Sequence, residues 1–126
     1  MLSSKNRLKK KREFSFIYKK GKGFYSQNLS VYIYKTKYKF CKIGFSIGSK
    51  VGNSVVRHKI KRRLSEIVRF YIKNMPINNY VFVAKSGIEK VDYFALKNQV
   101  ENLINKINLD KEKTERWKNF YQFLSK

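Results

Sequence analysis

Ser49-Lys-Val-Gly-Asn-Ser-Val-Val-Arg-His-Lys-Ile-Lys-Arg-Arg-Leu-Ser-Glu-Ile-Val-Arg69 carries five formal positive charges from Arg57 to Arg63 (Arg57, Lys59, Lys61, Arg62, Arg63), and the chain's one histidine, His58, sits among them. Val56, Ile60, Leu64, Ile67 and Tyr71 recur at i, i+4, i+8, i+11 and i+15, which places them on one side of a helix with about 3.6 residues per turn. The spacing predicts a helix, not a basic tail. On its wheel His58, Arg62 and Arg69 point away from the apolar stripe, with Lys59 and Lys61 beside them. Gly52 supplies a turn, and Asn53 or Ser54 an acceptor for the unpaired amides of the first helical turn. The positive end of the helix dipole then lies beside Lys50 and Arg57, a corner that suits a phosphate. A solvated outer face is the plainer reading of a short lysine run, but five cations in seven residues repel one another and call for a compensating anion.

The rest of the composition points the same way. Thirty Lys and Arg face eight Asp and Glu in 126 residues, a formal net charge of +22. A genome that favours Lys codons accounts for some of the lysines but not for the shortage of carboxylates, so nucleic acid is the implied partner, ahead of an anionic membrane surface. The length fits one domain, residues 1–126, with a modest core. The lone cysteine, Cys41, forms no internal disulfide and lies in a strand-like run, where it reads as core or edge filler rather than nucleophile. No run of 18 apolar residues and no secretory leader is seen, so a cytoplasmic protein without a membrane partner is expected.

Taken in order, residues 5–20 read as a first helix stopped by Gly21, with Phe14, Ile17 and Tyr18 on one face; by default such residues are core. Residues 28–34 alternate, Leu29, Val31 and Ile33 on one face and Ser30, Tyr32 and Tyr34 on the other, which predicts a half-buried strand. The tyrosine face is either ordinary sheet surface or a binding face. Residues 40–47 form a second alternating strand, and the short basic loop between the two makes an antiparallel hairpin the economical pairing. Pro76 bounds the basic helix. Tyr80 to Ala84 is nearly all apolar and predicts a central strand. Asp92 is a good N-cap for a last helix with Leu96, Val100, Leu103, Ile104 and Ile107 along one stripe. In the tail, Trp117, Phe120, Tyr121 and Leu124 have the spacing of a short extra amphipathic helix that docks back on the domain or contacts a partner.

The run Ile43-Gly-Phe-Ser-Ile-Gly-Ser-Lys-Val-Gly-Asn-Ser-Val-Val-Arg-His-Lys-Ile-Lys-Arg-Arg-Leu64 resembles the signature of the bacterial ribonuclease P protein component: a strand, a Lys-Val-Gly-Asn turn and an Arg-Asn-Arg-Ile-Lys-Arg-Arg helix. His58 stands where that family usually has Asn and Lys59 where it usually has Arg, a change that keeps charge but gives up the planar fork. Tyr80 to Gly87 and the Asp92-Tyr93 helix start also match, so the resemblance covers about residues 5–107, leaving 108–126 as a C-terminal extension. It implies an α+β two-layer sandwich of order α-β-β-α-β-α, with a small mixed sheet and a left-handed β-α-β crossover. It also implies a division of labour in which an RNA subunit performs the cleavage and the protein binds that RNA and the single-stranded 5′ leader of precursor tRNA. Carried over residue by residue, the catalytic RNA is held by Lys50, Asn53, Arg57, His58, Lys59, Lys61, Arg62 and Arg63. The leader is held by Phe14, Tyr18, Ser30, Tyr32, Arg57 and His58. The free protein is expected to be monomeric, and Mg2+ is expected for the holoenzyme with no metal site on the protein itself.

The residues support a binding role independently of that resemblance. A protein ribonuclease would need clustered carboxylates for Mg2+ or paired histidines for acid–base work. The eight acids are scattered, and no P-loop, GxGxxG or CxxC occurs. The remaining alternative is a free-standing RNA-binding or ribosome-associated basic protein.

Overall fold

In the computed structural model, which describes residues 2–124 with side chains through Glu115, a four-stranded mixed sheet is covered on one face by one helix and on the other by two. The chain enters through a short 3-10 turn, Ser4–Asn6, and Leu8 N–H donates to Ile43 O at 2.9 Å, so residues 7 and 8 lie along a sheet edge. The first helix, α1, spans Lys11–Lys20 and is shorter than the expected 5–20, because residues 7 and 8 are drawn into that edge contact. Strands β1 (Lys22–Tyr25), β2 (Leu29–Tyr34) and β3 (Lys42–Ser46) follow, then α2 (Ser54–Tyr71), β4 (Asn79–Ala84) and α3 (Tyr93–Leu124).

The strand order is β1-β2-β4-β3. Two expectations are corrected here. Residues 22–25 form a strand that pairs antiparallel with β2, Lys22 opposite Ile33 and Tyr25 opposite Ser30, although Gly21 before it, Gly23 within it and a length of only four residues gave no alternating signal. And β2 and β3 are not a hairpin. They run in opposite directions as expected, but β4 lies between them, antiparallel to β2 and parallel to β3. The reason is burial: Tyr80 and Phe82 face one side and Val81 the other, all at most 1% exposed, so β4 needs neighbours on both edges and cover on both faces. Two strand spacings come to about 10 Å, a distance easily crossed by residues 35–41. The β3-α2-β4 unit is therefore a parallel crossover through the basic helix.

The larger core lies between the sheet and α2 plus α3. Leu29, Val31, Ile43, Tyr80 and Phe82 meet Ile60, Leu64, Ile67 and Val68 from α2 and Leu96, Val100, Leu103, Ile104 and Ile107 from α3. Each of these side chains contributes about 1.5–3 kcal/mol by leaving water, which is what holds a helix as self-repelling as α2 to the body. Cys41 is in this core, its Sγ donating to Pro76 O at 3.4 Å, and burial pushes its thiol pKa up, so it is filler and no nucleophile. On the other face a smaller core joins Leu8, Ile17 and Val81, with Phe14, Tyr32 and Val83 against it.

Gly87, at φ 99°, turns the chain out of β4 in a conformation that disfavours any side chain. Asp92 caps α3 as expected, accepting from Ala95 N at 2.8 Å. The extension does not start a separate helix: α3 continues unbroken from Tyr93 to Leu124. The expected stripe of Trp117, Phe120, Tyr121 and Leu124 lies outside the described side chains.

Candidate nucleic-acid interface

Helix α2 begins as its sequence dictates. Asn53 is the N-cap, extended at ψ 178°, and its Oδ1 accepts from Val56 N at 3.0 Å. From that start the 3.6-residue period sends Ile60, Leu64 and Ile67 inward, so the cations between them must face out: Lys50, His58, Lys59, Lys61 and Arg62 are exposed, and Arg57 and Arg63 half-buried. Among the described residues none is neutralised by an acid. Among the described residues the one ion pair is Lys22 with Asp110, 2.6 Å apart, and Glu66, the single acid on α2, pairs with no cation. Arg57 stands out further, because its Nε is buried without a hydrogen-bond partner. The guanidinium is held by packing while its charge stays unpaired.

On the opposite face of the sheet, α1 stands off β3 and β4 to leave a cleft of about 230 Å³ lined by Phe14, Ser15, Tyr18, Lys19, Ser46, Val81 and Val83. A second, smaller recess of about 80 Å³ is lined by Arg7, Leu8, Phe14, Gly44, Lys61 and Ser65 among others. Phe14 borders both. The aromatic cleft and the basic helix are thus contiguous around one ring, an arrangement that no sequence spacing displays. Gly44 makes room for that ring, since a Cβ there would collide with the Phe14 ring tip and lie 3.2 Å from the Leu8 Cβ.

Tyr18 and Tyr32 face each other at 4.8 Å between centroids and 51° between planes, and Tyr25 from β1 meets Tyr32 edge-on at 6.1 Å. Burial, with help from Tyr25 and Tyr18, pushes the Tyr32 hydroxyl up to about 12, so it is a neutral donor and acceptor at any ordinary pH. Tyr18 is 55% and Tyr25 56% exposed. Ser30 shares the face of Tyr32 but is only 3% exposed, beneath the rings rather than among them. Phe16 of α1 and Tyr34 of β2, 4.9 Å apart and edge-on, continue the aromatic row.

Tyr25, Phe16 and Lys19 were missed by sequence reasoning. Tyr25 required knowing that residues 22–25 form a strand; the loop after it is held by Gln99 of α3, which bonds Asn28 N at 3.0 Å and Ser26 Oγ at 3.2 Å. Phe16 was legible in principle as an aromatic off the Phe14–Ile17–Tyr18 face of a basic helix.

A surface of unpaired cations joined to exposed stacking rings has the chemistry that binds single-stranded or folded RNA. The comparisons with known proteins agree. A family model described as Ribonuclease P matches residues 2–108. The chain belongs to the ribonuclease P protein family. Ribonuclease P protein component of Clostridium botulinum (strain Alaska E43 / Type E3) is 41% identical over 112 residues, covering 82% of this chain and 89% of that one. Its counterpart in Clostridium kluyveri is 38% identical over 108 residues, covering 83% and 96%. Among solved structures, the RNase P protein of Staphylococcus aureus superposes with a TM-score of 0.75 at 27% identity, over 79% of this chain and 93% of that one. That of Thermotoga maritima in complex with 1-(4-fluorophenyl)-2-thiourea gives 0.75 at 25% identity, over 80% and 99%.

As a ribonuclease P protein, the chain is the protein subunit of an RNA-containing endoribonuclease of tRNA 5′ maturation, with the activity residing in the complex with its RNA. A free-standing RNA-binding role is not favoured. Among the described residues no helix is long and apolar enough to cross a membrane.

Proposed function

We propose a division of the surface into two contiguous sites. Lys50, Asn53, Arg57, His58, Lys59, Lys61, Arg62 and Arg63 hold the catalytic RNA. Phe14, Tyr18, Tyr32 and the covered Ser30 form the leader cleft, and Arg57 and His58 of α2, which line neither recess, are assigned to the same leader. The carrying observation is the position of Phe14, which lines the cleft with Tyr18 and the smaller recess with Lys61. A leader leaving the ribozyme's active centre can therefore pass directly from the basic helix onto the rings.

The chemistry of each site matches its ligand. Stacking on aromatic rings accepts any base and contributes about 1–3 kcal/mol per base, which suits a leader whose sequence changes from one precursor to the next. Exposed Lys and Arg read phosphate without reading sequence. Among the described residues no three Asp, Glu, His or Cys side chains gather as metal ligands, and Mg2+ is left to the holoenzyme. In this reading residues 1–126 are one RNA-binding domain, monomeric before assembly and cytoplasmic, and its net charge of +22 opposes self-association.

The test is reconstitution. With a bacterial ribonuclease P RNA at low Mg2+, the protein should stimulate cleavage of precursor tRNA, and the stimulation should grow with leader length until the cleft is filled. A protein that leaves cleavage unchanged at every leader length would sink the reading.

A further inference from the structure

Away from the cleft, where α2 ends and α3 begins, four aromatic rings gather on the far side of the sheet. Phe70 and Tyr71 meet edge-on at 5.1 Å, and Tyr93 and Phe94 edge-on at 5.9 Å. The two pairs are joined across the helices: Lys97 Nζ lies 5.0 Å from the Phe70 ring centre, and the Tyr71 hydroxyl donates to Glu101 Oε2 at 3.1 Å. Phe70 is 71% and Phe94 75% exposed, more than any ring in the cleft. No core or cap explains them. Exposing two phenyl rings forgoes burial that nearby apolar residues obtain.

We propose that this α2–α3 patch is a second platform for single-stranded RNA, separate from the leader cleft, in which unstacked bases lie on Phe70 and Phe94 while Lys97 holds the phosphate between them. Charge selects this occupant. Arg69, Lys73 and Lys90 flank the patch, exposed and unpaired, whereas the nearby acids are engaged within the chain: Glu101 by Tyr71, Asp92 as the α3 cap and Glu89 by Gly87 N at 3.0 Å. The resulting surface is aromatic and cationic, the combination that binds bases and backbone without sequence preference. A second copy of the chain would bring another +22 against it. The sheet separates the patch from α1, so the strand it holds is not the segment lying in the cleft.

The full-length protein is titrated with a fluorescein-labelled octauridylate, and crosslinked to a 4-thiouridine-containing octamer with peptide mapping. The expected result is two oligonucleotides per chain, with crosslinks in peptides containing residues 70 and 94 as well as in the cleft. Phe70→Ser with Phe94→Ser should remove one site, and Phe70→Ser alone should weaken it about tenfold, with the cleft crosslinks retained. Lys97→Glu, which keeps both rings, should weaken the same site. An unchanged count and unchanged crosslinks in all three variants would overturn the proposal, as would a wild-type dimer that the same substitutions dissolve. Stimulation of precursor cleavage is scored separately, so loss of the patch and failure of the ribonuclease P reading give different results.

Discussion

Tyr18 on α1 and Tyr32 on β2 hold their rings 4.8 Å apart at 51°, although fourteen positions of sequence, a strand and a turn separate them. The tilt leaves Tyr18 open to solvent while Tyr32 is half-covered, so the pair forms a step on which a base can rest.

Removing Tyr32 from that step, or the Phe14 ring that lines the cleft with Tyr18, should hurt the leader and nothing else. Tyr32→Ala or Phe14→Ala is expected to weaken binding of leader-bearing precursor about tenfold, the cost of roughly one stacked base, while mature tRNA binds the holoenzyme as before. Equal losses for both substrates, measured by equilibrium binding, would contradict the cleft assignment.

Arg62 is exposed and unpaired on the outer face of α2. Arg62→Ala should leave thermal stability unchanged and weaken assembly with the catalytic RNA. The diagnostic is the salt dependence: the slope of log affinity against log salt should become shallower by about 0.7–0.9 for the one lost phosphate contact.

Gly44 tests the cleft from beneath. A methyl group at this position must push the tip of the Phe14 ring aside, and that ring is the movable neighbour. Gly44→Ala should therefore fold, melt somewhat below the wild type because Leu8 must also give way, and lose leader affinity about tenfold, as Phe14→Ala does. Normal leader affinity in a folded Gly44→Ala protein would show that the Phe14 position is not read by the substrate.

The alkaline limb of stability should report Tyr32 together with Tyr80, Tyr71 and Cys41, which burial also pushes up. The Tyr32 hydroxyl ionises near 10 in the unfolded chain and at about 12 in the folded one, chiefly because burial opposes the phenolate. Between those values the unfolded state releases a proton that the folded state keeps, so stability present below pH 10 falls as pH rises through 12. Tyr32→Phe should flatten part of that fall in chemical denaturation across the same window.

Helix α2 shows what was legible beforehand. Its stripe, cap and outward cations are all local facts: the 3.6-residue period ties each side chain to its neighbours three and four positions away, and Asn53 caps the helix that begins one residue later. The same holds for α3, where Leu96, Val100, Leu103, Ile104 and Ile107 are all buried. The candidate residues of the cleft come from resemblance to a family motif, since an aromatic in an amphipathic helix looks the same whether it is core or platform.

Strand neighbours were not legible. A short loop favours pairing β2 with β3, yet β4 takes the place between them because an apolar strand from distant sequence gains cover on both faces and hydrogen bonds on both edges. By itself the chain's sequence determined which side of each helix is apolar and that the surplus charge must face outward. Only the tertiary structure decided that β1 exists, that Tyr25 joins Tyr18 and Tyr32, and that Phe14 meets the recess of Lys61, because those contacts depend on which distant segments compete for the same sheet edge.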